Sequence, residues 1–350
     1  MTTDVSAPPL LAKTLRESQE LAARVFARPE WVLRLRRLLL AGRDLEEVER
    51  ETSRVWARFA PTMTVLETKV LQQHDTAADG ATKLLVGLRD GNAVETVVLP
   101  SPRGVSVCLS TQVGCPVGCT FCASGAAGLK RNLDAHEIVE QVVHARRVRP
   151  DIDRLVVMGI GEPLLNSANL FRALDILIEE SGIGPRRMIV STVGTQNAIR
   201  RLGAYGRKVT LALSLHAPDD ELRARLIPSM KGTRVAELMD DVDWYIKTTG
   251  RKAMAEYTLL KGVNDSQDHA IAVGQLLKGR ETYLNVIPYN AVAGAPYEGV
   301  TRDEAMRFTA LVRANGAFAL VRKTMGGEEY AACGQLRAAS WAKGEMPPKS

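Results

Sequence analysis

From residue 105 onward, short apolar runs suited to strands alternate with longer runs at helical spacing, and that alternation restricts the fold more than any other feature. Strand-like runs fall near 105–110, 155–159, 188–191, 209–214, 255–259 and 284–287, with helix-like runs such as 135–147, 169–178 and 302–314 among them. Strands separated by helices pair in parallel, because each helix carries the chain back along the sheet before the next strand begins. Six such units predict an α/β fold, a partial (β/α)6 TIM-like barrel. Ligand-binding residues in such a barrel gather at the C-terminal ends of the strands. Five of the six endings carry suitable groups: a cysteine-rich loop, Gly159-Ile160-Gly161-Glu162, Ser191-Thr192, Ser214-Leu215-His216 and Tyr289-Asn290.

The loop after the first strand reads Cys115-Pro116-Val117-Gly118-Cys119-Thr120-Phe121-Cys122, and the whole chain has only five cysteines. Packing has no use for that rhythm, since cysteines employed as small buried hydrophobes scatter. A structural zinc closes its tetrahedron with a fourth Cys or His at short spacing, and His136 stands well beyond the motif on a predicted helix. An odd, sparse set is no disulfide framework. Three thiolates suit three irons of a [4Fe–4S] cluster, with the fourth iron left open to another ligand. Around such a centre Gly159 and Gly161 let the backbone approach a ligand closely, and Glu162 offers a carboxylate to an ammonium group. Ser191, Ser214 and Asn290 can bond a ribose, a carboxylate or an adenine edge. Each of these also serves elsewhere as a strand-end cap, and His216 as a structural histidine, so they carry weight only together.

At 350 residues, 45% hydrophobic and 25% charged, the chain has room for one large domain and a smaller one. A net charge of +6 and a pI near 9.1 suit a polyanionic partner but fall short of a strongly basic nucleic-acid binder. Neither a secretory signal nor a long apolar run is visible, so the expectation is a cytoplasmic protein with no membrane segment.

Residues 1–10, with Pro8 and Pro9, read as a frayed terminus. From there to residue 60 the pattern is helical: Leu35, Leu38 and Leu39 follow Trp31 at helix spacing, and Arg34, Arg36, Arg37 and Arg43 surround them. Those arginines either meet phosphates or form a solvated face. Between residues 63 and 100 the period becomes two, with Leu66, Thr68 and Val70 alternating with charged residues and turns at Asp79-Gly80 and Asp90-Gly91-Asn92. That predicts a short antiparallel meander. The expected division is a helical accessory unit over 1–60, the meander over 61–100, a catalytic core over 101–340 and a tail over 341–350.

Four segments together make a specific pattern: Ser110-Thr111-Gln112-Val113-Gly114-Cys115, Met158 to Asn166, Leu213-Ser214-Leu215-His216-Ala217-Pro218 and Ala331-Ala332-Cys333-Gly334-Gln335-Leu336. With the cysteine loop, they resemble the RlmN/Cfr family of radical S-adenosylmethionine (SAM) RNA methyltransferases. The resemblance implies a [4Fe–4S] cluster on Cys115, Cys119 and Cys122, and SAM contacts at Gly161, Glu162, Ser191, Ser214, Leu215, His216 and Asn290. It implies three catalytic residues: Cys333 as the cysteine that becomes S-methylated, Cys108 as its partner and Glu95 as the proton acceptor.

A ring carbon of adenine is not nucleophilic, so polar attack on the SAM methyl group is a poor route. In the family's chemistry one SAM methylates the cysteine matched by Cys333, and a second, cleaved at the cluster, yields a radical that takes hydrogen from that methyl group. The resulting carbon radical joins the protein to adenine. After the adduct loses an electron, a base such as Glu95 or Cys108 removes the ring proton, and Cys108 attacks Cys333 to release the product as a disulfide forms, which must be reduced again. The implied substrate is adenine in large-subunit rRNA, at position 2, with tRNA a further candidate. The implied partner is a reductant such as flavodoxin or ferredoxin, and a monomer is expected. Before residue 60 the chain departs from the family's aromatic and basic pattern, Val193 replaces a small hydroxyl residue, and Ala123-Ser124-Gly125 replaces Ser-Thr-Gly. Alternatives are Cfr-like methylation at position 8, a radical SAM enzyme acting on a protein or small molecule, and a nucleic-acid-binding iron–sulfur module.

Overall fold

The computed structural model describes residues 8–24, 28–59, 63–77, 79–292, 294–322 and 334–336. The expected tail over 341–350, most of the frayed terminus and Cys333 lie outside them. Twelve strands are present among the described residues: β1 (Lys69–Asp75), β2 (Thr82–Gly87), β3 (Ala93–Ser101), β4 (Gly104–Cys108), β5 (Gln112–Gly114), β6 (Leu129–Asn132), β7 (Ile152–Val157), β8 (Met188–Thr192), β9 (Thr210–Ser214), β10 (Ala253–Leu259), β11 (Thr282–Pro288) and β12 (Ala319–Val321). Ten of them form one sheet in the order β1-β2-β3-β4-β7-β8-β9-β10-β11-β12. From β4 to β12 every neighbour is parallel, which makes the expected partial barrel. All six predicted strands are there within a few residues. The seventh parallel strand, β12, has three residues, too few to show any period.

Helices cover the outer face. Ile138 and Val142 of the helix Ala135–Val148, Leu174 of Ser167–Glu180, Val242 of Val235–Thr249 and Val312 of Arg302–Ala314 pack in one cluster with Val107, Leu155, Val190, Leu211 and Val286 of the strands. A capping box at Asp134 and Glu137 starts the first of these helices, satisfying backbone donors that the helix leaves unpaired.

The meander differs from expectation at its start. Its first strand begins at Lys69, not near Leu66, because the backbone N–H groups of Glu67 and Thr68 donate to the buried Glu140 carboxylate at 3.0 and 2.7 Å. Those donors go to the helix Ala135–Val148 and cannot serve a strand ladder. β3 pairs antiparallel with β4, Val97 opposite Cys108, so the barrel sheet continues into the meander.

Before the meander lie four helices, Leu15–Arg24, Pro29–Leu40, Leu45–Glu51 and Ser53–Phe59, around Val32, Leu35, Leu39, Val48 and Val55. One of the arginines expected to face phosphate or solvent does neither. Arg36 is fully buried and grips both carboxylate oxygens of Glu180 at 2.6 and 2.7 Å, while also donating to the Leu10 carbonyl and Ser18 Oγ. This pair fastens the N-terminal helices to the barrel helix Ser167–Glu180. Among the described residues no helix is long and apolar enough to cross a membrane.

Candidate active site

The cysteine loop is held at its base by a small hairpin in which β5 and β6 pair, with Val113 opposite Arg131. Strands of three and four residues left no readable period, so the sequence did not reveal this support. On one side the Thr120 N–H donates to the Leu226 carbonyl at 3.0 Å, which ties the loop to the helix Asp220–Leu226. On the other the Ala123 N–H donates to the Gly334 carbonyl at 2.8 Å, and Ser124 Oγ donates to the Leu336 carbonyl at 2.9 Å. The chain's C-terminal segment thus closes on the loop.

Cys115, Cys119, Cys122, Gly161, Glu162, Ser191, Ser214 and His216, eight of the residues expected to bind cluster or SAM, line one cavity at the C-terminal ends of the strands. Leu215 lies behind it, fully buried, its N–H bonded to the Glu256 carbonyl at 3.0 Å. Asn290 follows the lining residue Tyr289. Val193 donates its backbone N–H to Glu162 and packs its side chain in one cluster with Val117 and Phe121 of the cysteine loop.

The donor set fits an iron–sulfur cluster. Burial pushes the Cys115 thiol up to about 12, with the charges of Cys122 and Glu162 adding to the effect, and Cys119 is raised well above its usual value by burial and by the other two thiols. Two thiols that resist ionisation, with the Cys122 thiol beside them, call for a cation among them. Among the described residues no three Cys, His, Asp or Glu side chains converge on the position of a single ion. A cluster makes no such demand, because each thiolate binds a different iron. His136, the nearest candidate for a fourth zinc ligand, instead directs Nε2 to Glu67 at 2.7 Å.

Glu162 is less available than expected. Oε1 accepts from Thr192 Oγ1 at 2.6 Å and the Leu164 N–H at 3.3 Å, and Oε2 from the Val193 N–H at 3.0 Å. Its carboxylate braces the ends of two strands and keeps spare lone-pair capacity on Oε2. Burial pushes its pKa up. The glycines before it serve packing as much as ligand approach: a Cβ on Gly161, at φ +112°, would lie 2.7 Å from Gln112 Cβ, and one on Gly159 would lie 2.7 Å from the Leu109 carbonyl oxygen.

His216 takes a left-handed backbone at φ 59°. Its ring edge meets Phe121 of the cysteine loop with centroids 4.8 Å apart, so the loop and the fourth barrel strand-end are in contact. Arg223, buried beneath, donates to the carbonyls of Leu215, Val193 and Ser214 at 3.1, 2.7 and 3.0 Å and ties two strand ends together.

Cys108 and Glu95 share the interior face of the sheet. Val97 is opposite Cys108, and Glu95, two residues earlier on β3, therefore projects to the same side, nearer the loop end of the barrel. Cys108 packs with Val97, Val156, Ile160 and Leu336. Glu95 lies 3.2 Å from Lys83 Nζ, both side chains almost wholly buried. Cys333 is outside the described residues, but Gly334 lines the cavity and Leu336 touches the Cys108 cluster.

Several lining residues were missed, among them Glu256, Thr258 and Arg322. Glu256 left one signal, a lone carboxylate inside the apolar run Ala253–Leu259.

Residues 109–272 match the radical SAM superfamily. A solved radical SAM methyltransferase from Sphaerobacter thermophilus superposes with a TM-score of 0.86 at 36% identity, covering 95% of this chain and 99% of that one. A protein of Gloeobacter violaceus named "Probable dual-specificity RNA methyltransferase RlmN" is 42% identical over 84% of each chain. Its namesake in Rhodopirellula baltica is 45% identical over 74% of this chain and 71% of its own. With the fold, the cysteine loop and the strand-end residues all in place, this chain belongs to the RlmN family of radical SAM RNA methyltransferases.

Proposed function

We propose that this chain methylates carbon 2 of an adenine in large-subunit rRNA, and of an adenine in tRNA, through an S-methylcysteine at Cys333 and two molecules of SAM. One observation carries the reading: the three motif cysteines and the strand-end residues surround a single cavity, and Cys108 lies on the interior face of the same sheet. Relatives named as dual-specificity RNA methyltransferases support RNA as the substrate.

Cys115, Cys119 and Cys122 would hold the cluster, and Gly161, Glu162, Ser191, Ser214, Leu215, His216 and Asn290 would surround SAM. When bound, cluster and SAM supply a one-electron cleavage that generates a hydrogen-abstracting radical. The chain's own part is to bind, orient and move protons. Phe121 and His216 hold the cysteine loop against the fourth strand-end. Lys83 Nζ stands 3.2 Å from the carboxylate of Glu95, the expected proton acceptor, and holds it in place. Cys108, buried near Leu336, would attack Cys333 and release the methylated base.

The rest of the reading is a cytoplasmic monomer drawing electrons from a flavodoxin or ferredoxin, with an accessory unit over 1–60, a meander over 61–100, a core over 101–340 and a tail over 341–350. The separate small core around Val32 and Leu39 supports the first boundary. Nucleosides from 23S rRNA and tRNA of cells with and without the gene, resolved against 2-methyl- and 8-methyladenosine standards, test the activity. Loss of 2-methyladenosine on deletion is expected; unchanged nucleosides would refute it, and loss of the 8-methyl isomer would reassign the position.

A further inference from the structure

Among the described residues, a carboxylate oxygen buried at the cavity has no donor. Glu256 stands on β10 in register with Ser214 of β9 and Asn285 of β11, 3% exposed, and lines the cavity. Its Oε2 accepts from Asn285 Nδ2 at 2.8 Å and lies 4.0 Å from the Arg322 guanidinium. Its Oε1 is buried with no hydrogen-bond partner among the described residues. Buried carboxylate oxygens are otherwise satisfied, because leaving one bare forfeits its hydration with nothing in return. The missing donor therefore belongs to whatever fills the cavity.

Position decides which part of a ligand that is. Glu162 follows β7, the neighbour of the strand β4 that runs into the cysteine loop, whereas Glu256 stands on β10, three strands further along the sheet and 4.0 Å from Arg322. Glu162 thus stands at the cluster end and Glu256 away from it. A SAM molecule with its methionine end at the cluster presents its nucleoside to the far end, and the donors a nucleoside sugar offers are hydroxyl groups.

We propose that Glu256 Oε1 accepts a hydrogen bond from a ribose hydroxyl of the SAM adenosyl group, with Asn285 holding the carboxylate in that orientation. This rests on the cavity being the SAM site. The experiment is anaerobic calorimetry on the cluster-loaded protein with S-adenosylhomocysteine and its 2′-deoxy and 3′-deoxy forms, on wild type and Glu256→Met. Wild type should bind one deoxy ligand about tenfold more weakly than the ribo form, as expected for a lost hydrogen bond to a buried acceptor. Glu256→Met should weaken the ribo form by a similar factor and leave that deoxy ligand unaffected. Equal wild-type affinity for all three ligands overturns the proposal, as does a Met variant that weakens all three alike. Should Glu256→Met fail to fold, the near-isosteric Glu256→Gln takes its place and should narrow the gap between the ribo ligand and that deoxy ligand; an unchanged gap overturns the proposal. Absence of any binding to wild type refutes the SAM-site reading itself, a separate result.

Discussion

His216 Nδ1 accepts the backbone N–H of Thr258 at 3.0 Å, so the ring is neutral and carries its proton on Nε2. Burial, and then the charge of Arg223, hold its pKa down at about 3. A depressed histidine stabilises the fold fully above its unfolded value of about 6.5, and that stability is lost as pH falls from there toward 3, because only the unfolded chain takes up the proton. At about pH 5 the loss is about 2 kcal/mol. His216→Asn, which tolerates the left-handed backbone, should therefore show a smaller drop in urea midpoint between pH 7 and pH 5 than wild type. Equal drops would mean the ring is not held neutral. His144, pushed down to about 4 by burial, contributes alike in both proteins.

The Arg36–Glu180 pair predicts a strong, separable effect on stability. Removing one partner leaves a buried charge unmatched and costs about 3–5 kcal/mol, so Arg36→Met should lower the urea midpoint sharply. Arg36→Met with Glu180→Leu should recover much of it, since no lone charge remains. A single variant as stable as wild type would mean that the N-terminal helices are not fastened through this pair.

Cluster assembly should need all three motif cysteines. Anaerobic reconstitution is expected to give about four iron and four sulfide per chain, and Cys115→Ala, Cys119→Ala or Cys122→Ala should each lose the cluster and the activity together. Stoichiometric zinc without sulfide in the wild-type protein would contradict the assignment.

Cys108 and Cys333 should fail differently. If Cys333 carries the methyl group and Cys108 releases the covalent intermediate, Cys108→Ala should accumulate RNA-linked protein, seen on a gel as a nuclease-sensitive shift, and Cys333→Ala should show none. A Cys108 that merely fills the cluster of Val97, Val156 and Leu336 would cost about 1 kcal/mol on replacement and give no shift. Peptide mass spectrometry should also find a methyl thioether on Cys333 in protein taken from cells.

What was legible in the sequence was whatever repeats or clusters along the chain. The six longer parallel strands declared themselves because strands buried on both faces read as apolar runs, and the cysteine loop because its spacing has a chemical use and no packing use. The strand-end residues followed from the barrel rule once the strands were placed. The short strands β5, β6 and β12 did not follow, since three or four residues show no period.

Tertiary structure alone decided which polar groups face one another. Arg36 is one arginine among several in its helix, and only the approach of Glu180, 144 residues away, makes it an internal fastener instead of a phosphate contact. Glu67 and Thr68 alternate like a strand, yet the distant Glu140 carboxylate takes their backbone donors. Glu162 was identified from its motif, but Thr192 and Val193, from a distant strand-end, determine with the nearby Leu164 N–H how much of it a ligand can use. Local pattern records propensity and periodicity, which act between near neighbours; burial, pairing and satisfaction of a polar group depend on residues that only folding brings within about 3 Å.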